Sequence, residues 1–209
     1  MMKLIDATRL LWVTPEAERL IVKTARVSAP QNEDNLATGP RLLKYLIKHK
    51  HWSPFEMANM CLEIHTQRDI SAQIIRHRSF SFQEFSQRYA ETEQAKIPKF
   101  RRQDSRNRQN SIDDLTDEQI DLLEELTYKH IKEGYELYQT MLEMGVAKET
   151  ARRHLPMCSP TRIYMNGTLR SWIHYIDLRT DPGTQWEHRT IANQAKIIFE
   201  QQFPVISEA

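Results

Sequence analysis

Glycine is scarce in this sequence, with 5 residues in a chain of 209. Neither G-x-x-x-x-G-K nor G-x-G-x-x-G, the patterns whose backbone amides wrap around phosphates, is present. This absence argues against a phosphate loop and against a dinucleotide-binding βαβ unit. A nucleotide or a flavin would therefore have to be held by side chains.

Cysteine is scarce too, because Cys61 and Cys158 are the only two thiols and cannot build a disulfide framework. We therefore expect a reducing, cytoplasmic compartment. The N-terminus has no apolar run of signal-peptide length, and no stretch approaches the ~18 apolar residues of a spanning helix. These absences predict a cytoplasmic protein without a membrane partner.

Metal-ligand patterns are missing as well, because His49 and His51 have no second Cys or His pair at ligand spacing. No metal site is predicted.

The formal net charge is only +1. An anion site in this chain therefore needs a local cluster of arginines.

The apolar pattern predicts one helix-rich α/β (mixed α+β) domain over residues 1–209, with a modest central sheet. Strict alternation over 58–65 predicts a half-buried strand, and a short strand is expected near 86–91. Residues 92–113 are predicted to form a basic loop. Helices are predicted from Thr14-Pro15, around 42–47, and over 66–75, 117–144, 147–155, 168–178 and 184–202. Capping boxes are expected at Thr66 and Thr116.

The segment from Arg76 to Arg88 is the strongest functional signal. Arg76, His77 and Arg78 stand together, Ser86 and Arg88 follow, and Glu84 is the one acid among them. Guanidinium groups bind phosphate through paired N–H donors. If 86–89 is extended, Ser86 and Arg88 project to the same side. Ordinary surface ion pairs are the alternative interpretation.

A second basic group lies downstream. Arg152 lies in the short helix predicted over 147–155, Arg170 and His174 are one helical turn apart, and Arg179 stands at a helix end. A cation at a helix C-terminus is stabilised there anyway, so capping is the simpler account of Arg179. The cluster therefore carries more weight than any one member.

A nucleic-acid-binding module is one alternative. Residues 96–108 are basic, and Phe80, Phe82, Phe85 and Phe100 could stack on bases. The near-neutral net charge weakens this alternative, and no specific nucleic-acid partner is expected.

Thiol chemistry at Cys158 is another alternative. Arg152, Arg153 and His154 are close to it in sequence, and electropositive surroundings favour a thiolate. A single cysteine is more often a small buried hydrophobic residue.

Several spaced motifs, taken together, resemble the flavin-dependent thymidylate synthases. That family's motif is Arg-His-Arg, seven residues and then Ser, which Arg76-His77-Arg78 and Ser86 match without a gap. The likeness extends over most of the chain. Further segments that resemble the family are 53–56, 97–99, 108–111, 169–172, 177–179 and 185–187.

The resemblance implies an α/β fold unlike that of the classical synthase and an enzyme that methylates dUMP to dTMP. In this family 5,10-methylenetetrahydrofolate supplies the carbon, reduced FAD supplies the hydride and NADPH reduces the FAD. The resemblance also implies a homotetramer with each active site at a subunit interface.

Carried over residue by residue, the resemblance implies two overlapping sets of site residues. FAD would contact Ser53, Arg76, His77, Arg78, Glu84, Arg170 and His174. The substrate dUMP would contact Gln73, Arg76, Glu84, Ser86, Gln87, Arg88, Arg152 and Arg179. Arg179 would lie against the uracil and favour its ionised form. Ser86 would position the substrate, since no base beside it in sequence would activate it as a nucleophile.

Overall fold

The computed structural model describes residues 7–209. Its strands are β1 (Ala7–Val13), β2 (Asn59–Gln67), β3 (Ser81–Glu84), β4 (Arg102–Gln103), β5 (Ser111–Ile112) and β6 (Pro160–Thr168). Four of them form an antiparallel sheet in the order β1-β2-β6-β3, while β4 and β5 pair separately. The central pair, β2 and β6, joins segments that lie far apart in sequence.

Helices pack against this sheet and make up a large part of residues 7–209. They are α1 (Ala17–Ala25), α2 (Gly39–Lys48), α3 (Arg68–Ile74), α4 (Asp117–Glu143), α5 (Lys148–Ala151), α6 (Leu169–Arg179), α7 (Trp186–Gln202) and α8 (Pro204–Ser207). Short 3-10 helices occur at Ser53–Glu56 and Arg152–His154. No helix within residues 7–209 is both long enough and apolar enough to cross a membrane.

The core lies on one face of the sheet. Met60, Leu62 and Ile64 of β2 are fully buried, as the alternating pattern predicts. Trp172 of α6 packs in the same core, and its indole Nε1 donates to the Met60 carbonyl oxygen at 2.8 Å. This contact fixes α6 against the sheet, and α6 carries several of the predicted site residues.

The longest predicted helix is confirmed together with its ends. Thr116 Oγ1 accepts from the Gln119 amide at 3.3 Å, and the Thr116 amide donates to Gln119 Oε1 at 3.1 Å, which completes the expected capping box. Gly145 adopts φ +79° just beyond the last turn. Glycine reaches this left-handed conformation without steric cost, so the helix ends there.

The predicted strand near 86–91 is wrong. The strand of this segment is β3, which ends where Glu84 pairs with Ile163 of β6. Residues 86–90 form a turn in which the amides of Tyr89 and Ala90 both donate to the Ser86 carbonyl at 3.1 Å. Pairing with β6 decides where the strand lies, and the local pattern does not show that partner.

Two predicted helix starts also need correction. Thr66 does not cap α3, because β2 continues through Gln67 and the helix N-terminus has no side-chain cap. Thr14 instead extends the sheet: its Oγ1 accepts from the Asn59 amide at 2.9 Å, and α1 begins only at Ala17. In both places sheet pairing overrides the local helix signal.

The basic segment 92–113 contains the β4–β5 hairpin rather than a plain loop. Arg101 Nε donates to Ser111 Oγ at 2.8 Å, and Arg102 forms an ion pair with Asp114 at 2.6 Å. Lys99 Nζ lies 5.3 Å from the centre of the Trp186 ring. Several cations of the 92–113 segment therefore already have partners within the chain, which weakens the nucleic-acid alternative.

Candidate active site

The Arg76–His77–Arg78 motif occupies a tight turn directly after α3. The amide of Arg76 donates to the Gln73 carbonyl at 3.3 Å, and the amide of His77 donates to the Ile74 carbonyl at 3.1 Å. Arg76 and Arg78 are exposed, whereas His77 between them is half-buried. The turn thus presents two guanidinium groups to solvent and directs the imidazole inward.

His77 is held by the end of α6. Arg179 Nε donates to His77 Nε2 at 2.9 Å, which brings two predicted site residues together across 102 positions of the chain. The Tyr175 ring meets the imidazole edge-on at 4.9 Å between centroids. Burial, and then the charge of Arg179, lower the pKa of His77 to about 4. His77 is therefore neutral at pH 7 and able to accept this hydrogen bond.

Phe80 anchors the other end of the turn, and Gly167 of β6 makes room for its ring. A Cβ atom at position 167 would lie 2.4 Å from Phe80 Cδ1. Phe80 also packs edge-on against Trp172, with 4.9 Å between ring centroids. The bare backbone of Gly167 therefore sets the depth at which the arginine turn sits on the sheet.

Glu84 accepts from three donors that belong to two elements, α3 and β6. Its Oε1 accepts from Ser71 Oγ at 2.6 Å and from Thr161 Oγ1 at 3.0 Å, and Arg68 Nη1 lies 2.9 Å away. The side chain of Glu84 is 22% exposed. Three donors on one oxygen hold the carboxylate in a fixed position between α3 and β6.

The turn that follows β3 carries Ser86, Gln87 and Arg88. Gln87 is buried, and its Nε2 has no hydrogen-bond partner among residues 7–209. Arg88 points to α5, where its Nη2 lies 3.0 Å from Glu149 Oε2. A buried amide that lacks an acceptor is unusual in proteins and indicates a position where a ligand could supply one.

We call the cavity beside Gln87 the arginine cavity. It has a volume of about 240 Å³ and is lined by Arg68, Gln87, Arg152, Arg153, Leu155, Pro156, Met157 and Ser159. Three arginines thus line one cavity together with Gln87. Arg152 is brought here because Gly134 of α4 lets the 152–154 segment approach closely, with the His154 carbonyl oxygen 3.1 Å from a Cβ built at 134.

A second group of predicted residues meets at the start of α6. Arg170 forms an ion pair with Glu56 of the 3-10 helix that Ser53 begins. The His174 ring meets Trp52 edge-on at 4.8 Å between centroids. Ser53, Arg170 and His174 therefore lie around one short segment, as the resemblance implies for residues that contact a single ligand.

The predicted residues do not all line one cavity. Gln87 and Arg152 share the arginine cavity, Arg179 contacts His77, and Gln73 Nε2 donates to Gln185 Oε1 at 2.6 Å. Within residues 7–209, neither Arg76 nor Arg78 forms an ion pair that would draw it toward these groups. In this protomer the predicted site residues therefore form separate groups rather than one cavity.

Sequence reasoning missed Arg68 and the partners of Glu84. In the sequence, Arg68 falls within the capping box expected at Thr66, a pattern that gives no sign of an anion ligand. Ser71 and Thr161 carry no motif, and only the pairing of β6 with the rest of the sheet brings Thr161 to Glu84. The signal for Arg68 is its charge at the start of α3, the short helix whose end leads into the arginine turn.

The two cysteines do not resemble activated nucleophiles. Burial raises the pKa of the Cys61 thiol and that of the Cys158 thiol. A raised pKa keeps a thiol protonated at neutral pH and lowers its reactivity. The structure therefore gives no support to thiol-based methylation through Cys158.

Comparison with known proteins identifies the family. The profile of the family described as thymidylate synthase complementing protein matches residues 9–205. A protein of Paramecium bursaria Chlorella virus 1, described as a probable flavin-dependent thymidylate synthase, is 50% identical over 99% of this chain and 97% of its own length. The flavin-dependent thymidylate synthase of Synechocystis sp. is 46% identical over 92% of this chain and 88% of its own.

Solved structures support the same conclusion for the fold. The crystal structure of the UMP/dUMP methylase PolB from Streptomyces cacaoi, bound with 5-Br dUMP, superposes with a TM-score of 0.87 at 24% identity. The match covers 97% of this chain and 93% of that protein. Together the matches confirm the mixed fold class, the methyltransferase activity and the flavin cofactor that the sequence resemblance implied. The chain belongs to the thymidylate synthase complementing protein family, that of the flavin-dependent thymidylate synthases.

Proposed function

We propose that this protein methylates dUMP reductively to dTMP, with 5,10-methylenetetrahydrofolate as carbon donor and tetrahydrofolate as product. The hydride is supplied by bound FAD that NADPH has reduced. The observation that carries the proposal is the arginine cavity, which Arg68, Arg152 and Arg153 line together with Gln87, whose Nε2 has no partner among residues 7–209. Such a cluster suits a nucleoside monophosphate.

The substrate phosphate is proposed to bind at this cavity. Arg152 would contribute paired N–H donors, and Gln87 Nε2 would gain the acceptor that it lacks. Ser86 stands next to Gln87 in the same turn and would position the nucleotide. Arg88 would leave Glu149 to join it, at small cost, because their ion pair is exposed. Gln73 and Glu84 would complete the substrate contacts.

The residues proposed for FAD fit a dinucleotide diphosphate. Arg76 and Arg78 are exposed guanidinium groups with no side-chain partner among residues 7–209, so they are free to bind phosphate oxygens. Ser53, Arg170 and His174 form a second patch from the start of α6. His77 and Glu84 would lie between the flavin and substrate contacts.

Arg179 is proposed to activate the substrate. Arg179 Nε donates to the neutral His77 ring, and this hydrogen bond orients the guanidinium group. The remaining N–H groups of Arg179 are then available to the uracil. A fixed cation beside the ring stabilises the negative charge that develops there. The uracil carbon that receives the one-carbon unit becomes more nucleophilic as a result.

The active assembly is proposed to be a homotetramer with sites at subunit interfaces. Only Ile131 and Tyr138 of the 27 residues in α4 are buried. Leu122 and Leu126 are both 56% exposed and Leu137 is 44% exposed, and the helical repeat puts these three on one face. An apolar face of this kind on a long helix favours contact with further copies of the chain.

We further propose that residues 1–209 act as one domain in the cytoplasm, with no membrane and no specific nucleic acid as partner. The two free thiols support a reducing compartment. The internal ion pairs of the 92–113 segment support the absence of a nucleic-acid role.

An absorption spectrum and a product assay test this function. Purified protein supplied with FAD is expected to show bound-flavin absorbance that bleaches under NADPH without oxygen. Addition of dUMP and 5,10-methylenetetrahydrofolate should then restore the absorbance and yield dTMP in equal amount to the flavin reoxidised. Protein that retains no FAD, or that reoxidises without forming dTMP, would contradict the proposal.

A further inference from the structure

A second cavity lies at the ends of the sheet strands, and the proposed function does not use it. We call it the strand-end cavity. Its volume is about 430 Å³, within the range of ~300–1,000 Å³ typical of small-ligand sites. Strands β1, β2 and β6 contribute to its wall together with residues 93–96 and Cys158. None of its lining residues lines the arginine cavity.

Gln67 places an unpartnered donor in this wall. The residue is 4% exposed, and its Nε2 has no hydrogen-bond partner among residues 7–209. Buried amide donors are normally satisfied by protein or water. A donor without a partner in the wall of a cavity is available to an acceptor on a bound molecule.

The charges of the wall favour an anion. Lys96 lines the cavity and forms no ion pair within the described part of the chain, and Arg9, whose side chain is 70% exposed, reaches Glu63 only at 3.9 Å. His65 Nε2 lies 2.6 Å from Glu63 Oε1. Glu93 is the one carboxylate in the lining itself. Cys158 adds no negative charge, because burial raises the pKa of its thiol.

We propose that the strand-end cavity is a second ligand site, separate from the substrate site, for a small metabolite that carries an oxyanion. Gln67 donates to this oxyanion at the buried end of the site, and Lys96 supplies the opposite charge. A phosphate and a carboxylate share this chemistry. Inorganic phosphate and citrate therefore serve as two probes, which distinguish a site for phosphate from a site for carboxylate.

Cys158 reports occupancy of the cavity because its thiol lines the wall, whereas Cys61 is buried. The alkylation of Cys158 by iodoacetamide, followed by mass spectrometry of its peptide, gives the rate. At a probe concentration about ten times its dissociation constant the rate should fall about tenfold, since only the free fraction reacts. Potassium chloride at matched ionic strength should have no effect. Equal slowing by the salt, or no slowing by either probe, would overturn the proposal.

Three variants show which cavity is responsible for the protection of Cys158 from alkylation. Lys96→Gln should abolish protection, and Lys99→Gln, a lysine of the same segment that pairs with Asp113, should preserve it. Arg152→Gln, in the arginine cavity, should also preserve it. Protection that survives Lys96→Gln and disappears in Arg152→Gln would assign the anion to the substrate site instead and refute a second site.

A second measurement is independent of the thiol. In the Arg152→Gln background the phosphorus NMR line of inorganic phosphate should broaden on addition of protein, and Lys96→Gln in that background should remove the broadening. Broadening that Lys96→Gln leaves unchanged counts against the site. Neither measurement uses flavin or turnover, so the result is separate from that of the dTMP assay.

Discussion

At the scale of single residues, the contact between His77 and Arg179 links the arginine motif to the end of α6. Burial and the charge of Arg179 lower the pKa of His77, and burial with Arg179 and His77 lowers that of His188 to about 3. The Tyr175 ring contacts both imidazole rings, and its hydroxyl is 3.1 Å from His188 Nε2. Both imidazoles are therefore neutral at pH 7, and the positive charge of this group of side chains belongs to Arg179.

Arg179→Ala should abolish methylation while the protein stays folded. Loss of a group that stabilises developing charge costs about 10²–10³-fold in kcat. The removal of a neighbouring cation should also raise the pKa of His77 toward its ordinary value, which proton NMR of the imidazole detects. Circular dichroism and the FAD content should match those of the unchanged protein.

Arg189→Ala provides the matched control, because Arg189 donates to the Pro182 carbonyl away from His77. This variant should retain both the kcat and the His77 pKa of the unchanged protein. Full dTMP formation by Arg179→Ala would remove Arg179 from the proposed mechanism.

The sequence predicted residues with charge and motif well, and residues defined only by packing poorly. Arg76, His77 and Arg179 could be identified because their residue types and spacing form a recognisable pattern. The gathering of Ser71 and Thr161 at Glu84 could not, since a hydroxyl carries no pattern and its partner depends on which strands pair. The assignment of roles to the predicted site residues stays a prediction.

At the scale of the elements, the fit between β6 and the arginine turn depends on one glycine. The Phe80 ring lies where a side chain at 167 would be, and the turn that carries Arg76 and Arg78 ends at this ring. Gly167 pairs with Met60 in the centre of the sheet, so the strand cannot easily shift to relieve a clash. The ring would have to move, and the turn with it.

Gly167→Ala should therefore weaken both stability and FAD binding. Overpacking of this kind costs about 1–3 kcal/mol, and each kcal/mol lowers the melting temperature by about 2–4 °C for a chain of this size. Thermal unfolding and a fluorescence titration with FAD measure the two effects.

The double variant Gly167→Ala with Phe80→Leu tests the cause. The smaller side chain at 80 should relieve the clash and recover part of the melting temperature that the single change loses. If Gly167→Ala alone melts like the unchanged protein, the close approach of the ring has no energetic role.

Helices were easier to predict than strands, for a physical reason. A helix closes its hydrogen bonds within a few residues, so the caps at Thr116 and Gly145 could be found from the local sequence. The strands β1 and β6 went unpredicted, and β3 was displaced to 86–91, because their hydrogen bonds are made to residues far away. Register and order of strands need information that no short window contains.

At the scale of the whole molecule, α4 has two apolar faces and the protomer uses one. Ile131 and Tyr138 pack inward, whereas Leu122, Leu126 and Leu137 remain exposed on a different side of the helix. The same helix supports the 152–154 segment, which carries Arg152 into the arginine cavity. Assembly through the exposed face and substrate binding are thus connected by one element.

Leu126→Glu should break the assembly into smaller species with the protomer fold intact. A carboxylate placed in an apolar interface has no partner there and strongly opposes burial. Sedimentation velocity should show the smaller species, circular dichroism should be unchanged, and dTMP formation should fall with the loss of the assembled site.

Lys132→Gln is the control, because it makes the same change of one charge unit on the polar side of α4. It should sediment like the unchanged protein. A Leu126→Glu protein that keeps the original size would show that this face is not an interface.

The carboxylate of Glu84 has a consequence for how the molecule is made. One of its three donors, Thr161, follows it by 77 positions, and the central strand that carries Thr161 is completed only at Thr168. During synthesis the arginine motif therefore emerges from the ribosome long before β6, the strand that carries Thr161. Competence to bind nucleotide arises late in synthesis, when more than three quarters of the polypeptide has been translated.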